Sequence, residues 1–119
     1  MEVLYRSTRG NGSTVTASNA ILKGLSEDGG LFVPDQIPAL EVPMEQLAQM
    51  SYQEVAYEVM SRFLTDFTEE ELKKCIQSAY DQKFDTDVIA PLVKADGAYY
   101  LELFHGSTIA FKDMALSIL

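Results

Sequence analysis

The sequence predicts a mixed α/β fold, a small domain in which short strands at both ends of the chain flank a helical middle. Two observations support this fold class. Capping signals begin two successive stretches with helical apolar spacing, and short β-prone runs occur near each terminus. The chain has 119 residues, 47 % of them apolar, which is typical of one globular domain with a modest core.

The N-terminal section is predicted to contain strand, loop, helix and strand. Residues 3–5 are β-prone and precede a polar, glycine-containing loop. Apolar residues at helical spacing predict a short helix over Ala17–Lys23, which Gly24 would end. Residues 31–33 are predicted to form a short buried strand ended by Pro34, and the prolines that follow predict an extended connector.

Two helices are predicted in the middle of the chain. Ser51 with Glu54, and Thr68 with Glu71, match the capping box, in which a hydroxyl and a carboxylate satisfy the free N–H groups at a helix start. Apolar residues follow both boxes at helical spacing, and the short link between them predicts an antiparallel pair. Cys75 lies on the second apolar stripe, so we expect a buried and unreactive thiol.

A β-hairpin is predicted after Pro91. Residues 92–93 and 99–104 are predicted to be its strands, and Asp96-Gly97 has the composition of a tight hairpin turn.

A final helix is predicted from about Ile109, with Ser107 or Thr108 as its N-cap. This helix would be apolar nearly all round and would end without a capping residue, so we expect a chain truncated at this point. The alternative is a complete small protein whose last helix docks into its own core. If the helix is exposed, its apolar surface would favour self-association.

Charge and composition exclude several classes of partner. The chain has 9 basic and 18 acidic residues, a formal charge of −9, which repels phosphate backbones and anionic lipids. We therefore expect neither a nucleic acid nor a membrane as partner. One cysteine and one histidine provide neither an internal disulfide nor a structural zinc site. The first residues lack the features of a signal peptide, so a cytoplasmic protein is expected.

The residues with the clearest chemical potential surround Lys112. A predicted strand leads into a glycine-hydroxyl loop, and the loop opens the last helix close to this lysine. A helix start and the apolar neighbours Phe111 and Met114 both favour the neutral amine, which is the nucleophile that condenses with an aldehyde. The Ser107 and Thr108 hydroxyls and the backbone N–H groups would suit a phosphate or carboxylate. The residues therefore indicate a nucleophilic lysine beside an anion site.

Other interpretations of the same residues remain open. Lys112 could be an ordinary surface lysine paired with Asp113 or Glu102. The loop could also form a stand-alone anion-binding module without catalysis. A serine hydrolase built from Ser107, His105 and Asp113 is disfavoured, because residues this close in sequence hardly converge on a triad. For His105 we expect a structural hydrogen bond.

Three stretches resemble threonine synthases. Residues 103–113 (LFHGSTIAFKD) are similar to the signature around the lysine that binds pyridoxal phosphate (PLP) in that family. Residues 5–10 (YRSTRG) and a third stretch from Ala20 to Pro34, which ends in DGGLFVP, match in the family's order and approximate spacing. The family usually has proline where Ser107 stands, and this departure leaves the local substrate contact in doubt.

The resemblance implies a fold type II PLP enzyme that converts O-phosphohomoserine and water to L-threonine and phosphate. Lys112 would be the catalytic residue and would carry the cofactor as a Schiff base, with Phe111 beside the cofactor ring. Ser107 and Thr108 would approach the substrate. No metal is implied.

The resemblance also implies how the chain is divided. Residues 1–90 would form the N-terminal domain, and residues 91–119 would begin a truncated PLP-binding catalytic domain. In the family, the glycine-rich loop for the cofactor phosphate and the group facing the pyridine nitrogen lie further along the chain. This chain alone is therefore expected to bind the cofactor weakly or not at all, and to be inactive.

Overall fold

The computed structural model describes residues 2–10 and 12–119, and it has the mixed α/β fold that the sequence predicts. Short strands lie in the first and last parts of the chain, and the two longest helices lie between them. In chain order the elements are β1 (Tyr5–Ser7), β2 (Thr14–Val15), α1 (Ala17–Lys23), β3 (Phe32–Pro34), α2 (Met44–Leu47), α3 (Tyr52–Phe63), α4 (Glu69–Ala79), β4 (Leu92–Ala95), β5 (Ala98–Leu101) and α5 (Asp113–Leu116).

The N-terminal strands form a small antiparallel sheet in the order β2-β1-β3. Strand β1 begins two residues later than the predicted start, because Val3 is buried and its N–H donates to Thr65 Oγ1 at 3.0 Å. Strand β2 was not predicted, since two residues are too short to show a pattern. Strand β3 ends at Pro34, as predicted, and an edge strand tolerates the proline. The expected burial of this strand is wrong, because it lies at the sheet edge with Val33 exposed.

The N-terminal section is fastened to the helical middle by polar contacts. Helix α1 ends at Gly24, as predicted, with φ 69° in the left-handed region that favours glycine. At its start, Ser18 donates from its N–H and its hydroxyl to Asp66 Oδ2, at 3.1 and 2.6 Å. The Tyr5 hydroxyl donates to the Phe63 carbonyl at 3.0 Å. The link between α3 and α4 therefore anchors the sheet and α1.

Both predicted capping boxes are confirmed. Glu54 N–H donates to Ser51 Oγ at 3.3 Å, and Ser51 N–H donates to Glu54 Oε2 at 2.7 Å. Thr68 and Glu71 repeat the arrangement at 3.3 and 2.8 Å. The carboxylates also explain why the helices begin where they do, because each one satisfies an N–H group outside the helical ladder.

Two predictions about the helices are wrong in detail. The connector before α3 contains the short helix α2, which follows Pro43 and is too brief to show periodicity. Cys75 is exposed, not buried, because the buried side of α4 is formed by Leu72, Ile76 and Ala79. The thiol lies on the flank of that apolar stripe.

The main core joins the helical middle to the C-terminal section. Ile76, Tyr80, Phe84 and Ile89 are buried together, and Met114 of α5 packs against them with several partly buried side chains of α3. The Tyr80 hydroxyl donates to the Met114 carbonyl at 2.7 Å. Burial raises the pKa of Tyr80 to about 12. Tyr80 therefore acts as a neutral hydrogen-bond donor that fixes α5 to the core.

The C-terminal hairpin is confirmed, with β4 paired to β5 from Leu92↔Leu101 to Ala95↔Ala98. Asp96 and Gly97 have φ values of 49° and 79°, as a tight turn of the predicted kind requires. The second strand ends at Leu101 and does not reach residue 104.

No helix within residues 2–10 and 12–119 has both the length and the apolar character needed to cross a bilayer.

The prediction of a last helix beginning near Ile109, capped by Ser107 or Thr108, is wrong. Helix α5 covers only Asp113–Leu116, and Lys112 occupies its N-cap position. Ile109 has φ 63° and is 74 % exposed, so the chain forms turns at the place where an all-round buried helix was expected. The left-handed conformation of Ile109 interrupts any helix through it.

The capping boxes give a direct stability prediction. Ser51→Ala and Thr68→Ala should each lower the free energy of unfolding by about 1 kcal/mol, because each change leaves an N–H group at a helix start without its acceptor. Urea unfolding of the chain measures both effects. The control is Ser78→Ala, the same truncation at an exposed position inside α4, and equal losses in all three variants would contradict the capping assignment.

Candidate functional site

The predicted site residues all lie on one segment, residues 105–112, which we call the lysine loop. It connects the end of the β4–β5 hairpin to α5. Ser107, Thr108, Phe111 and Lys112 are all exposed. The structure therefore gathers the four predicted residues on a single accessible loop.

The first residue of the lysine loop is held between two carboxylates. His105 Nε2 bonds Glu102 Oε2 at 2.7 Å, and its Nδ1 bonds the Asp85 carboxylate. The Asp85 N–H also donates to the His105 carbonyl at 3.0 Å. The Phe104 ring stacks on the imidazole with centroids 4.5 Å apart. This confirms the structural hydrogen bonding expected for His105.

These contacts change the protonation of the imidazole. Only the protonated ring can donate from both nitrogens, so the hydrogen bonds to Glu102 and Asp85 raise the pKa of His105 above its ordinary value of 6.5. The two hydrogen bonds of His105 to Glu102 and Asp85, which we call the clamp, therefore tie the hairpin end to the segment that follows α4.

The clamp predicts a pH dependence of stability. Because the folded-state pKa of His105 is raised, its contribution is fully present below the ordinary value of 6.5 and is lost as pH rises through the raised pKa. The melting temperature of the chain should therefore fall between about pH 6 and about pH 9 by more than it falls in His105→Gln. Parallel pH profiles of the two proteins would contradict the clamp.

The far end of the lysine loop is closed by Asp113. This carboxylate is 7 % exposed and accepts from Thr108 N–H at 2.9 Å and from the Thr108 hydroxyl at 2.6 Å. Gly106 packs against it so closely that a Cβ there would lie 2.5 Å from Asp113 Cβ. The loop therefore needs glycine at this position for space.

Lys112 differs from its neighbour, since its side chain has no bound partner. Within residues 2–10 and 12–119, no side chain or carbonyl pairs with its ammonium group, and Lys112 is exposed. The alternative pairing with Asp113 or Glu102 is not formed, because Asp113 bonds Thr108 and Glu102 bonds His105. The apolar cover expected from Phe111 is also missing, as that ring is 67 % exposed. The amine is accessible to an incoming group.

The other interpretations of the loop receive little support. The Thr108 N–H and hydroxyl, which were to bind an anion, already donate to Asp113. α5 is also too short to provide a helix-start anion site. A Ser107–His105–Asp113 triad is not assembled, because His105 and Asp113 bond other residues.

The residues that support the site were not predicted from the sequence. Asp85 was not singled out, although an acidic residue in a turn-rich segment is a reasonable partner for the one histidine. Asp113 was considered only as an ion-pair partner of Lys112 and as a member of the disfavoured triad. Its burial between Gly106 and Thr108 depends on the turn geometry, which the sequence pattern did not reveal.

The two upstream stretches of the resemblance meet in the structure. Ser7 Oγ donates to Asp28 Oδ1 at 2.6 Å, and Gly30 N–H donates to the same oxygen at 2.9 Å. Arg9 Nη1 donates to the Asp28 carbonyl at 2.8 Å. A Cβ on Gly30 would lie 2.1 Å from Ser7 Oγ. These motif residues thus brace the turn that connects α1 to β3 against strand β1.

The lysine loop fits one part of a PLP site. An accessible and unpaired amine at Lys112 can bind an aldehyde, and the exposed Phe111 ring lies next to it in sequence. The part of the chain that the structure describes contains no cluster of three histidine, cysteine or acidic side chains suited to a metal ion. The fold and site define a mixed α/β module that presents a lysine on a glycine-hydroxyl loop.

Comparison with known proteins identifies the family of this module. The family model "Threonine synthase N terminus" matches residues 4–80. Threonine synthase of Schizosaccharomyces pombe is 43 % identical over 99 % of this chain, and that of Pseudomonas aeruginosa is 38 % identical over 97 %. The matched region is 24 % and 25 % of those proteins, so the chain spans about a quarter of their length.

Solved structures agree. A PLP-bound threonine synthase from Brucella melitensis superposes with a TM-score of 0.86 at 36 % identity, covering 98 % of this chain and 26 % of that one. The yeast threonine synthase structure superposes with a TM-score of 0.87 at 35 % identity, covering 97 % and 24 %. The chain belongs to the threonine synthase family and corresponds to its N-terminal region.

Proposed function

We propose that this chain is the N-terminal part of a threonine synthase, which converts O-phosphohomoserine and water to L-threonine and phosphate with PLP. The observation that carries the proposal is the unpaired, exposed Lys112, which stays unpaired because the carboxylates of Glu102 and Asp113 are bonded to His105 and Thr108. The membership of the family and its PLP-bound solved member support the choice of cofactor.

The residues of the lysine loop have separate roles in this proposal. Lys112 would attach the cofactor through its amine and would move protons to and from the substrate carbons. Phe111 would lie beside the cofactor ring. Ser107 and Thr108 would approach the substrate. Ser107 would do so with its exposed hydroxyl, and Thr108 with the lone pairs that its donating hydroxyl still has free to accept. PLP, when bound, supplies an electron sink for the carbanion chemistry.

The chain alone is proposed to be inactive. It spans about a quarter of its relatives' length, and its lysine loop contributes an attachment point without a cradle for the cofactor phosphate, since Thr108 already donates to Asp113. We also propose that residues 1–90 form the N-terminal domain and that residues 91–119 begin the catalytic domain.

Two further expectations belong to the same proposal. We expect the protein to be cytoplasmic, and the free, exposed thiol of Cys75 suits that reducing compartment. Exposed apolar side chains near the C-terminus would favour self-association of the isolated chain, among them Ile109 at 74 % and Leu119 at 79 % exposed.

The experiment is to read the source gene beyond Leu119 and to assay the complete gene product, meaning the translation of the whole reading frame. With O-phosphohomoserine and PLP, the complete product should release threonine and phosphate in equal amounts, while the 119-residue chain releases neither. A stop codon directly after Leu119, or a longer product that forms no threonine, would contradict the proposal.

A further inference from the structure

Asp113 is an unusual neighbour for an exposed lysine. Its carboxylate is buried, at 7 % exposure, whereas the adjacent Lys112 is exposed and unpaired. Buried carboxylates are costly unless they are well bonded, and this one accepts from Thr108 N–H and from the Thr108 hydroxyl. The carboxylate is therefore directed into the loop and away from the ammonium group beside it.

These bonds close the lysine loop into a ring. Thr108 and Asp113 are joined across the intervening residues. Ile109 N–H donates back to the Gly106 carbonyl, which lies just before the ring, at 3.1 Å. Ile109 has φ 63°, a conformation that β-branched residues rarely adopt. Such strain persists only where surrounding contacts over-determine the backbone, and the Asp113 bonds supply those contacts.

The ring is anchored on both sides. On the α5 side, the Tyr80 hydroxyl donates to the Met114 carbonyl at 2.7 Å, which fixes the residue next to Asp113 to the core. On the hairpin side, Asp85 N–H donates to the His105 carbonyl at 3.0 Å. Lys112 therefore projects from a backbone whose two ends and closure are all determined by other residues.

We propose that Asp113 is a positioning residue, which closes the lysine loop through Thr108 and so holds the Lys112 amine where the cofactor must meet it. The catalytic meaning of this inference rests on the proposed function, whereas the closure of the loop does not. Asp113 itself touches neither cofactor nor substrate in this account. It acts by preorganising the backbone that carries the reactive group.

The first measurement needs no cofactor. In the cofactor-free complete gene product, hydrogen exchange of the Thr108 amide should be faster in Asp113→Asn than in the wild type, by about tenfold, because the amide loses a charge-assisted acceptor. Thr108→Val removes the hydroxyl and keeps the side-chain shape, so it should speed the exchange less than Asp113→Asn does. Thr108→Ser keeps the hydroxyl, so its exchange rate should equal that of the wild type. The control is Asp96→Asn, which alters an exposed carboxylate in the hairpin turn.

The second measurement uses the holoenzyme. Asp113→Asn should lower kcat about 100-fold, the cost expected of a small displacement of a reacting group, with a much smaller change in KM. If Asp113→Asn fails to fold, amide exchange in the Thr108→Val variant decides the closure instead of kcat, because Thr108 is itself proposed to approach the substrate. A merely structural aspartate would lower the melting temperature and leave both kcat in the folded fraction and the exchange at Thr108 unchanged.

The outcomes separate the two proposals. An active wild type, with unchanged exchange and unchanged kcat in Asp113→Asn, overturns the positioning role and leaves the proposed function standing. An inactive wild-type product overturns the proposed function, and faster exchange in Asp113→Asn then still supports loop closure. Unchanged exchange in that case overturns the closure as well.

Discussion

Replacing Lys112 by alanine in the complete gene product should lower kcat for threonine formation about a thousandfold or more. The reason is that, in the function proposed above, the amine both attaches the cofactor and moves protons, so its removal takes away two roles at once. The Lys112 side chain is exposed and forms no hydrogen bond or ion pair, so the substitution removes neither from the fold. Steady-state kinetics measure the loss, and the cofactor's absorbance reports whether it is still attached.

Two variants make this test specific. Lys112→Arg keeps the positive charge but provides no amine that can condense with an aldehyde, so it should be as inactive as the alanine variant. Lys74→Ala removes an exposed lysine from α4 and should keep wild-type activity. Substantial turnover in Lys112→Ala would contradict the role proposed for this residue.

Truncating Ile76 should cause the largest loss of stability. This side chain is 1 % exposed and lies at the centre of the core that joins α4 to the C-terminal section. Ile76→Ala should lower the free energy of unfolding by about 2–5 kcal/mol, through lost burial and the cavity that remains. That is a large fraction of the stability of a small domain, so the variant should be partly unfolded at about 37 °C.

Urea unfolding of the chain measures this effect, and an exposed aliphatic residue provides the control. Leu22 is 84 % exposed, so Leu22→Ala should change the free energy of unfolding by no more than about 0.5 kcal/mol. Similar losses in the two variants would mean that Ile76 is not at the centre of the core.

Local signals with a direct physical cause predicted the helical middle and the hairpin. The hydroxyl and carboxylate of each capping box bond the helix start itself, so Ser51 and Thr68 mark α3 and α4 without help from the rest of the fold. Asp96-Gly97 similarly determines its own turn, because both residues accept positive φ.

The C-terminal section was predicted less well, because its conformation depends on contacts between residues that are apart in the chain. The apolar run after Thr108 has helical spacing, yet Asp113 takes the Thr108 donors and Ile109 turns into the left-handed region. Tertiary bonds therefore overrode the local pattern. The four site residues were placed together on the lysine loop by sequence alone, whereas the carboxylates that support the loop became visible only in three dimensions.

The proposed function depends on the amine of Lys112, and chemical trapping tests this role most directly. The complete gene product would be incubated with PLP, reduced with borohydride, digested and mapped by mass spectrometry. We expect the reduced cofactor on Lys112. A cofactor fixed to a different lysine, or no fixed cofactor in a product that forms threonine, would contradict it.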